Sequence, residues 1–489
     1  MVAALALGPV LLFAQVANSP QLRVVASKPV FVAAVGLGVC VCVVLLAALF
    51  RRWPTLFVLA CLVTLPIRLP LEVGGHTANL LLPLYVVIGA GAFLYAYERF
   101  KGESPRFAQC ERGVGWLELC LVLAVVLYAA QAVYSSDYAQ AFANVVFFYL
   151  PFALLFKLIS EIRWSRRLVI QSVVLLASLA VLFALVGFWE YAAHKLLLNP
   201  RLVESNQFEP YFRINSLFFD PNVYGRFLAL VMLAIAPVLL WRTRMRELAV
   251  GSLVLGVLWA ALVLTFSRSS FWALLVGLAV LAALRFGPLK VGGAVAVFAC
   301  GGVAAVLAFP TAVGVPNSLD AINHASSGRL KLVTSGIQMF DDRPLGGYGP
   351  ASFSNQFRAL NGPGSERAAS ISHTTPVTVA AEQGILGLLL YVLVLVFACK
   401  ALLTGLGALR QRGPPLVLIG RAAIAAGFAA LVLHTFLYAD YLEDPFTWAL
   451  LGITLALGGQ AQLMEEEPEP VREERARVRA QGRALRSSQ

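Results

Sequence analysis

A chain of 489 residues that is 59% hydrophobic and 13% charged, with a mean hydropathy of +0.79, carries more apolar side chain than a water-soluble core can hide. A soluble enzyme is thereby excluded, and the net charge of +12 reads as the Lys and Arg excess of cytoplasmic loops rather than a nucleic-acid surface. The expected class is an all-α polytopic integral membrane protein. Long continuous apolar runs satisfy their own backbone as helices, and they lack the alternation of an outer-membrane barrel.

About fourteen runs approach the ~20 residues that cross a bilayer, which predicts about 12–14 transmembrane helices. The first, 4–17, has no Lys or Arg ahead of it and reads as a short first helix, with signal cleavage as the alternative. Further runs follow at 29–50, 54–71, 78–97, 114–134, 139–158, 168–190, 219–241, 248–266, 269–285, 289–309, 376–399, 416–438 and 445–460. The run 54–71 is interrupted by Pro66 and Pro70 around Arg68, which weakens it as a span.

Charge orients the runs, because Lys and Arg stay preferentially on the cytoplasmic side. Arg51-Arg52 and the connections 99–112, 157–167, 242–246, 285–290 and 400–412 are basic and are placed inside, with the Arg-rich tail. The alternate connections, 74–77, 135–137, 191–217, 310–375 and 438–444, face outward. The tail, 465–489, lacks the apolar content to fold alone. Seven cysteines give neither a disulfide framework nor a zinc spacing, none falls in 310–375, and Cys40-Val41-Cys42 reads as small packing residues.

Chemistry-bearing residues collect on the outer side. Residues 211–222 lead through Arg213 into a helix started by Asp220 and Asn222, with Arg226 about one turn inside. Both arginines add positive charge to an outer mouth, unless Arg226 pairs with Asp220 or Asp137. Two runs then meet at Ser267-Arg268-Ser269-Ser270 with almost no loop. Arg268 is costly there unless paired. A phosphate suits its planar fork, while a carboxylate or simple snorkelling is the competing reading.

In the long interval 310–375, Ser326-Ser327-Gly328-Arg329 offers a helix start, followed by Leu330, Val333, Ile337 and Phe340 at helical spacing. An amphipathic helix at the membrane mouth is expected. Its first turn would place Arg329 among unpaired amides, an anion-binding arrangement, or leave it as a solvated arginine. Residues 343–350, with three glycines and two prolines, require a tight irregular turn that lets backbone come close to something. Asp341-Asp342 diverge by about 100° on a helix and read as solvated rather than metal-binding.

His373 precedes Pro376 and the helix that Pro376 opens. A helix N-terminus disfavours imidazolium, so the ring is expected neutral and able to take a proton from an alcohol. A hydrogen-bonded interfacial histidine is the equal alternative. His324 lacks this setting, and His76, His194 and His434 read as structural.

In this order, the 213–222 entry, Ser267-Arg268-Ser269, Ser327-Gly328-Arg329, the turn 343–349, and Ser372-His373 followed by Glu382-Gln383-Gly384-Ile385-Leu386-Gly387 resemble the O-antigen ligase and Wzy-type polysaccharide polymerase family. The similarity covers about 212–390; His373 is followed by Thr374 where many relatives carry Asn. The resemblance implies a GT-C-like fold with one large periplasmic loop carrying short amphipathic helices, in a bacterial inner membrane. It divides the chain into N-terminal helices (1–211), a catalytic core (212–400), C-terminal helices (401–460) and a cytoplasmic tail (461–489).

The implied reaction moves a glycan from polyprenyl (undecaprenyl) diphosphate to an acceptor hydroxyl, by inversion and without metal or other cofactor. His373 would be the base, Arg268 and Arg329 the diphosphate ligands, and Arg213 and Arg226 further phosphate contacts. Partners are then the lipid-linked oligosaccharide, a glycan or lipid acceptor, membrane lipids, and as candidates a flippase and a chain-length regulator; nucleic acid is not among them. Polymerisation of repeat units is slightly favoured over ligation to lipid A core. A transporter or flippase is the reading from another class, since Glu118, Glu190, Glu382 and Arg421 could line a path.

Overall fold

The computed structural model describes residues 29–73, 76–103, 115–198, 212–308, 329–362, 372, 374–410, 414–438 and 441–466. The chain is a polytopic helical membrane protein. Among the described residues seven helices are long and apolar enough to cross a bilayer, and four further apolar helices are shorter. The run at 4–17 lies outside the described residues.

The N-terminal part consists of α1 (Pro29–Arg52), α2 (Thr55–Thr64), α3 (Leu82–Phe100), α4 (Trp116–Ala132) and α5 (Tyr138–Asn144). The last continues through a π turn, Val145–Tyr149, into α6 (Leu150–Ser160). The run 54–71 is not one helix. It ends at Thr64, and Leu69–Val73 (β1) pairs antiparallel with His76–Leu80 (β2), Leu71 facing Ala78. Pro66 and Pro70 account for the break, since each removes a helical donor. The hairpin takes the first residues of the run expected at 78–97, so α3 begins only at Leu82.

The C-terminal part is built on α7 (Arg166–Ala193), α8 (Pro221–Trp241), α9 (Met245–Leu264), α10 (Arg268–Phe286) and α11 (Pro288–Ala308). It continues with the loop helices α12 (Arg329–Asp342) and α13 (Phe353–Asn361), then α14 (Thr375–Leu403), α15 (Leu416–Leu437) and α16 (Pro445–Glu466). The helix starts follow from sequence. Ser165 Oγ accepts the Leu168 amide at 3.1 Å, Asp220 Oδ1 accepts those of Asn222 and Val223 at 2.6 and 3.4 Å, and Pro221 and Pro376 stand in first turns.

Burial separates the centre from the rim. The apolar window of α8 is 67% buried and that of α9 only 22%, so α8 is the axis of the bundle and α9 presents its face to lipid. Around α8 pack α7, α9, α10 and α15, while α16 lies against α6 and α15. The buried core is large and apolar, with Tyr224, Phe227, Phe428 and Trp448 among its fully enclosed side chains.

The expected loop helix is present as α12, but its buried stripe is Leu332, Ser335, Gly336 and Met339. Ile337 is 49% exposed, and Leu330, Val333 and Phe340 are half-buried. The seat is therefore rotated from the apolar face by about one residue, because small residues set how closely α12 can approach α14. A side chain at Gly336 would collide with Val377.

Candidate functional site

One end of the bundle gathers the starts of α8, α10 and α14 and the end of α15. Ser267 caps α10 by accepting the Ser270 amide, and the three hydroxyls of Ser267, Ser269 and Ser270 interlock, Ser267 to Ser270 at 2.8 Å. Ser270 Oγ donates to the Asn222 carbonyl at 3.2 Å, fixing α10 to the first turn of α8. This packing is tight: a Cβ on Gly225 would meet Ser270 and Ser267. Arg268, at the first position of α10, is exposed and has no ion pair among the described residues.

Arg213 braces the junction that leads into α10. Its Nε donates to the Thr265 carbonyl at 3.0 Å and its Nη2 to Asn222 Oδ1 at 3.3 Å, so a half-buried guanidinium bridges the end of α9 and the start of α8. The backbone here is strained, with φ of +51° at Ser216 and +49° at Phe266, values that cost a non-glycine residue on the order of 1–3 kcal/mol and cluster at functional sites. The Glu190 carboxylate ties two amides of the turn around Ser216, and a third from Leu197, to the end of α7. Glu190 Oε2 accepts Asn215 and Ser216 at 3.2 and 2.7 Å, and Oε1 accepts Leu197 at 3.1 Å.

The start of α14 docks on the same helix as α10. Thr375 Oγ1 donates to the Thr435 carbonyl at 3.0 Å, and Ser269 Oγ shares a hydrogen bond with His434 Nε2 at 3.2 Å. Adjacent residues of α15 thus hold both starts. Ser372, fully buried, bonds Thr378 Oγ1 at 2.7 Å and the Thr374 carbonyl at 2.8 Å, which shapes the approach to α14. His373 itself lies outside the described residues, as do Ser326, Ser327 and Gly328.

Arg329 opens α12 and is exposed. Gly336 faces Val377, and further along Gly347 backs onto Glu382 and Gln383, so α12 advances in the same sense as α14. Two turns before Gly336, Arg329 therefore lies towards the start of α14 and away from its membrane-crossing part.

The glycine-rich turn is held against protein backbone. Tyr348 and Gly349 amides donate to the Ala381 and Glu382 carbonyls at 3.1 and 2.8 Å, and the Ile385 amide to the Pro344 carbonyl at 2.7 Å. These bonds are needed because α14 breaks at Gly384 (φ +65°, ψ −160°), and groups freed in apolar surroundings must be satisfied. Gln131 Nε2 takes the Gln383 carbonyl at 3.2 Å, Tyr134 donates to Gly346 at 2.6 Å, and Ser135 to Pro350 at 2.6 Å. The Glu382 carboxylate accepts the Phe353 amide at 3.0 Å, seating α13.

Residues 253–392 match the O-Antigen ligase family. That match bears out the resemblance read from the ordered motifs, and it supports a membrane enzyme of O-antigen or surface-polysaccharide assembly. A search of curated proteins finds no match. The matched segment contains Arg268, Arg329, His373 and Glu382, whereas Arg213, Arg226, His434 and Thr435 lie outside it.

Arg226 departs from the expected phosphate contact. It is 2% exposed and its guanidinium pairs with Asp444, which is fully buried. Asp220, a partner foreseen from sequence, instead caps its own helix and accepts from Tyr438 OH at 2.9 Å. Removing one member of such a pair leaves a buried charge, at about 3–5 kcal/mol. Asp444→Ala is expected to lower the unfolding temperature of the detergent-solubilised protein, and Arg226→Met with Asp444→Leu to recover most of it. An unshifted Asp444→Ala transition would show the pair to be dispensable.

His434 was read as structural, and it is, holding the start of α10 through Ser269; Thr435 escaped the sequence reading because its partner Thr375 is distant in the chain. Among the described residues no three His, Cys, Asp or Glu side chains come together as a metal site.

Proposed function

We propose that this protein transfers a glycan from polyprenyl diphosphate to an acceptor hydroxyl on the outer face of a bacterial inner membrane. The supporting observation is the shared anchorage of two helix starts: α10 with Arg268 on His434, and α14 with the segment next to His373 on Thr435. Arg213 flanks the first. An exposed guanidinium fork at a helix start suits a phosphate, and the adjoining position supplies an imidazole.

In this reading Arg268 and Arg329 bind the diphosphate and neutralise the charge that grows on it as the sugar bond breaks. His373 takes the proton from the acceptor hydroxyl, which attacks the anomeric carbon opposite the leaving diphosphate. Arg213 lends long-range positive charge. Arg226 acts through the Asp444 pair as a positioning residue for the first turn of α8. Residues 212–400 form the catalytic core, 1–211 and 401–460 its membrane frame, and 461–489 the cytoplasmic tail. The polar groups that suggested a transport path favour the enzyme instead. Glu118 caps its own helix through the Gly115 amide, Glu190 and Glu382 hold loop amides, and Arg421 donates to the Thr404 carbonyl at 2.5 Å.

Polymerisation is slightly preferred to ligation, because no residue pattern specific for a lipid A acceptor is visible. Reconstitution with a lipid-linked oligosaccharide decides: a polymerase gives a ladder from donor alone, a ligase transfers only when an acceptor is added, and absence of any transfer with either overturns the reading. In the same assay Arg268→Ala and Arg329→Ala are each expected to lower turnover by about 10²–10³, with Arg268→Lys recovering only part because it lacks the bidentate fork.

A further inference from the structure

We propose that the end of the bundle opposite the mouth holds an anionic diacyl phospholipid, its acyl chains in an apolar cavity and its phosphate on Arg166 and Arg246. The cavity has a volume of about 630 Å³ and lies between α2, α7, α8, α9, α15 and α16, with Leu62, Val173, Ala234, Ile424 and Leu450 in its wall. Its charged residues, Arg166, Arg242, Arg246 and Glu247, all belong to one rim, at the end where α8 finishes and α7, α9 and α15 begin.

Depth identifies the guest. The wall extends from 166 to 177 on α7, from 416 to 427 on α15 and from 446 to 457 on α16. Eleven positions of helix span about 16 Å, which is one leaflet of a hydrocarbon core ~30 Å thick. The cavity thus accommodates chains entering from the leaflet at the rim. At its far end stands Phe446, packed on Phe227 at 6.1 Å between ring centroids, next to the Asp444 that pairs with Arg226.

Charge identifies the head group. Glu247 is taken by Arg242 at 2.6 and 3.1 Å, with Arg244 at 3.6 Å. Arg166 and Arg246 are exposed and have no ion pair among the described residues. Four guanidinium groups against one carboxylate leave this rim with an excess of three positive charges. Basic pockets between membrane helices on the cytoplasmic side recruit anionic head groups, and the rim is basic in the way that side requires. Trp164 lines it as an interfacial aromatic. The donor's diphosphate has no part in this, since its arginines stand at the other end of the bundle.

The test uses the full-length protein, delipidated in mild detergent and titrated with dioleoyl phosphatidylglycerol or dioleoyl phosphatidylcholine, with bound lipid counted by native mass spectrometry. Phosphatidylglycerol is expected to be retained in preference, and Arg166→Gln and Arg246→Gln each to weaken it about fivefold without changing phosphatidylcholine. Ala234→Trp, which fills the cavity and keeps the arginines, is expected to abolish the preference; Ala423→Phe fills it from α15 should the first variant fail to fold. Equal retention of the two lipids, or arginine variants that retain phosphatidylglycerol unchanged, overturns the proposal. Displacement of phosphatidylglycerol by undecaprenyl phosphate also overturns it and assigns the cavity to the donor's tail.

Discussion

His373→Ala is expected to abolish glycan transfer while the protein still inserts and accumulates normally. General-base removal alone costs about 10²–10⁴ in rate, and an acceptor alcohol offers no easier route for its proton. The residue stands between buried Ser372 and the Thr374–Thr375 cap of α14, and these neighbours bond to Thr378 and Thr435 through their own side chains. Truncating the imidazole therefore leaves the anchorage intact. Reconstituted transfer, measured beside membrane yield, separates lost chemistry from lost folding, and undiminished activity would remove the assignment.

The second large effect is expected at Gly347. Its φ is +65°, and a Cβ there would collide with the Glu382 carbonyl and the Gln383 amide. Gly347→Ala combines about 1–3 kcal/mol of backbone strain with an overpacking cost of similar size. Both fall on the turn whose amides satisfy the break in α14, so the loop should detach while the membrane helices persist. Limited proteolysis within 343–352 should accelerate and transfer should fail. Gly362 also has a positive φ, +82°, but open space around it. Gly362→Asn is accordingly the control, and a variant pair with equal losses would show that collision with α14 is not the cause.

The membrane-spanning architecture was legible because burial in lipid writes itself as continuous hydropathy, and the helix starts at Asp220, Ser267 and Pro376 were legible because caps are local. What failed was tertiary. The seat of α12 is decided by Ser335 and Gly336, which advertise shape rather than hydrophobicity, so the apolar spacing pointed about one residue off. The partner of Arg226 is Asp444, far along the chain, and nearby carboxylates misled. Residues 343–350 were rightly read as a close approach of backbone, but the thing approached is α14 itself. The run 54–71 was read as weakened by its prolines, and its helix does end at Thr64; the hairpin that follows had no signal in composition.

The paired grip of His434 and Thr435 makes α15 a jig for the mouth. Neighbouring residues of a helix are separated by only about 1.5 Å along its axis, and one holds Ser269 while the next holds Thr375. Sliding or tilting of α15 in a fluctuating bilayer therefore carries both workpieces together. The gap between Arg268 and the beginning of α14 is set by one rigid rod instead of by the sum of several loops.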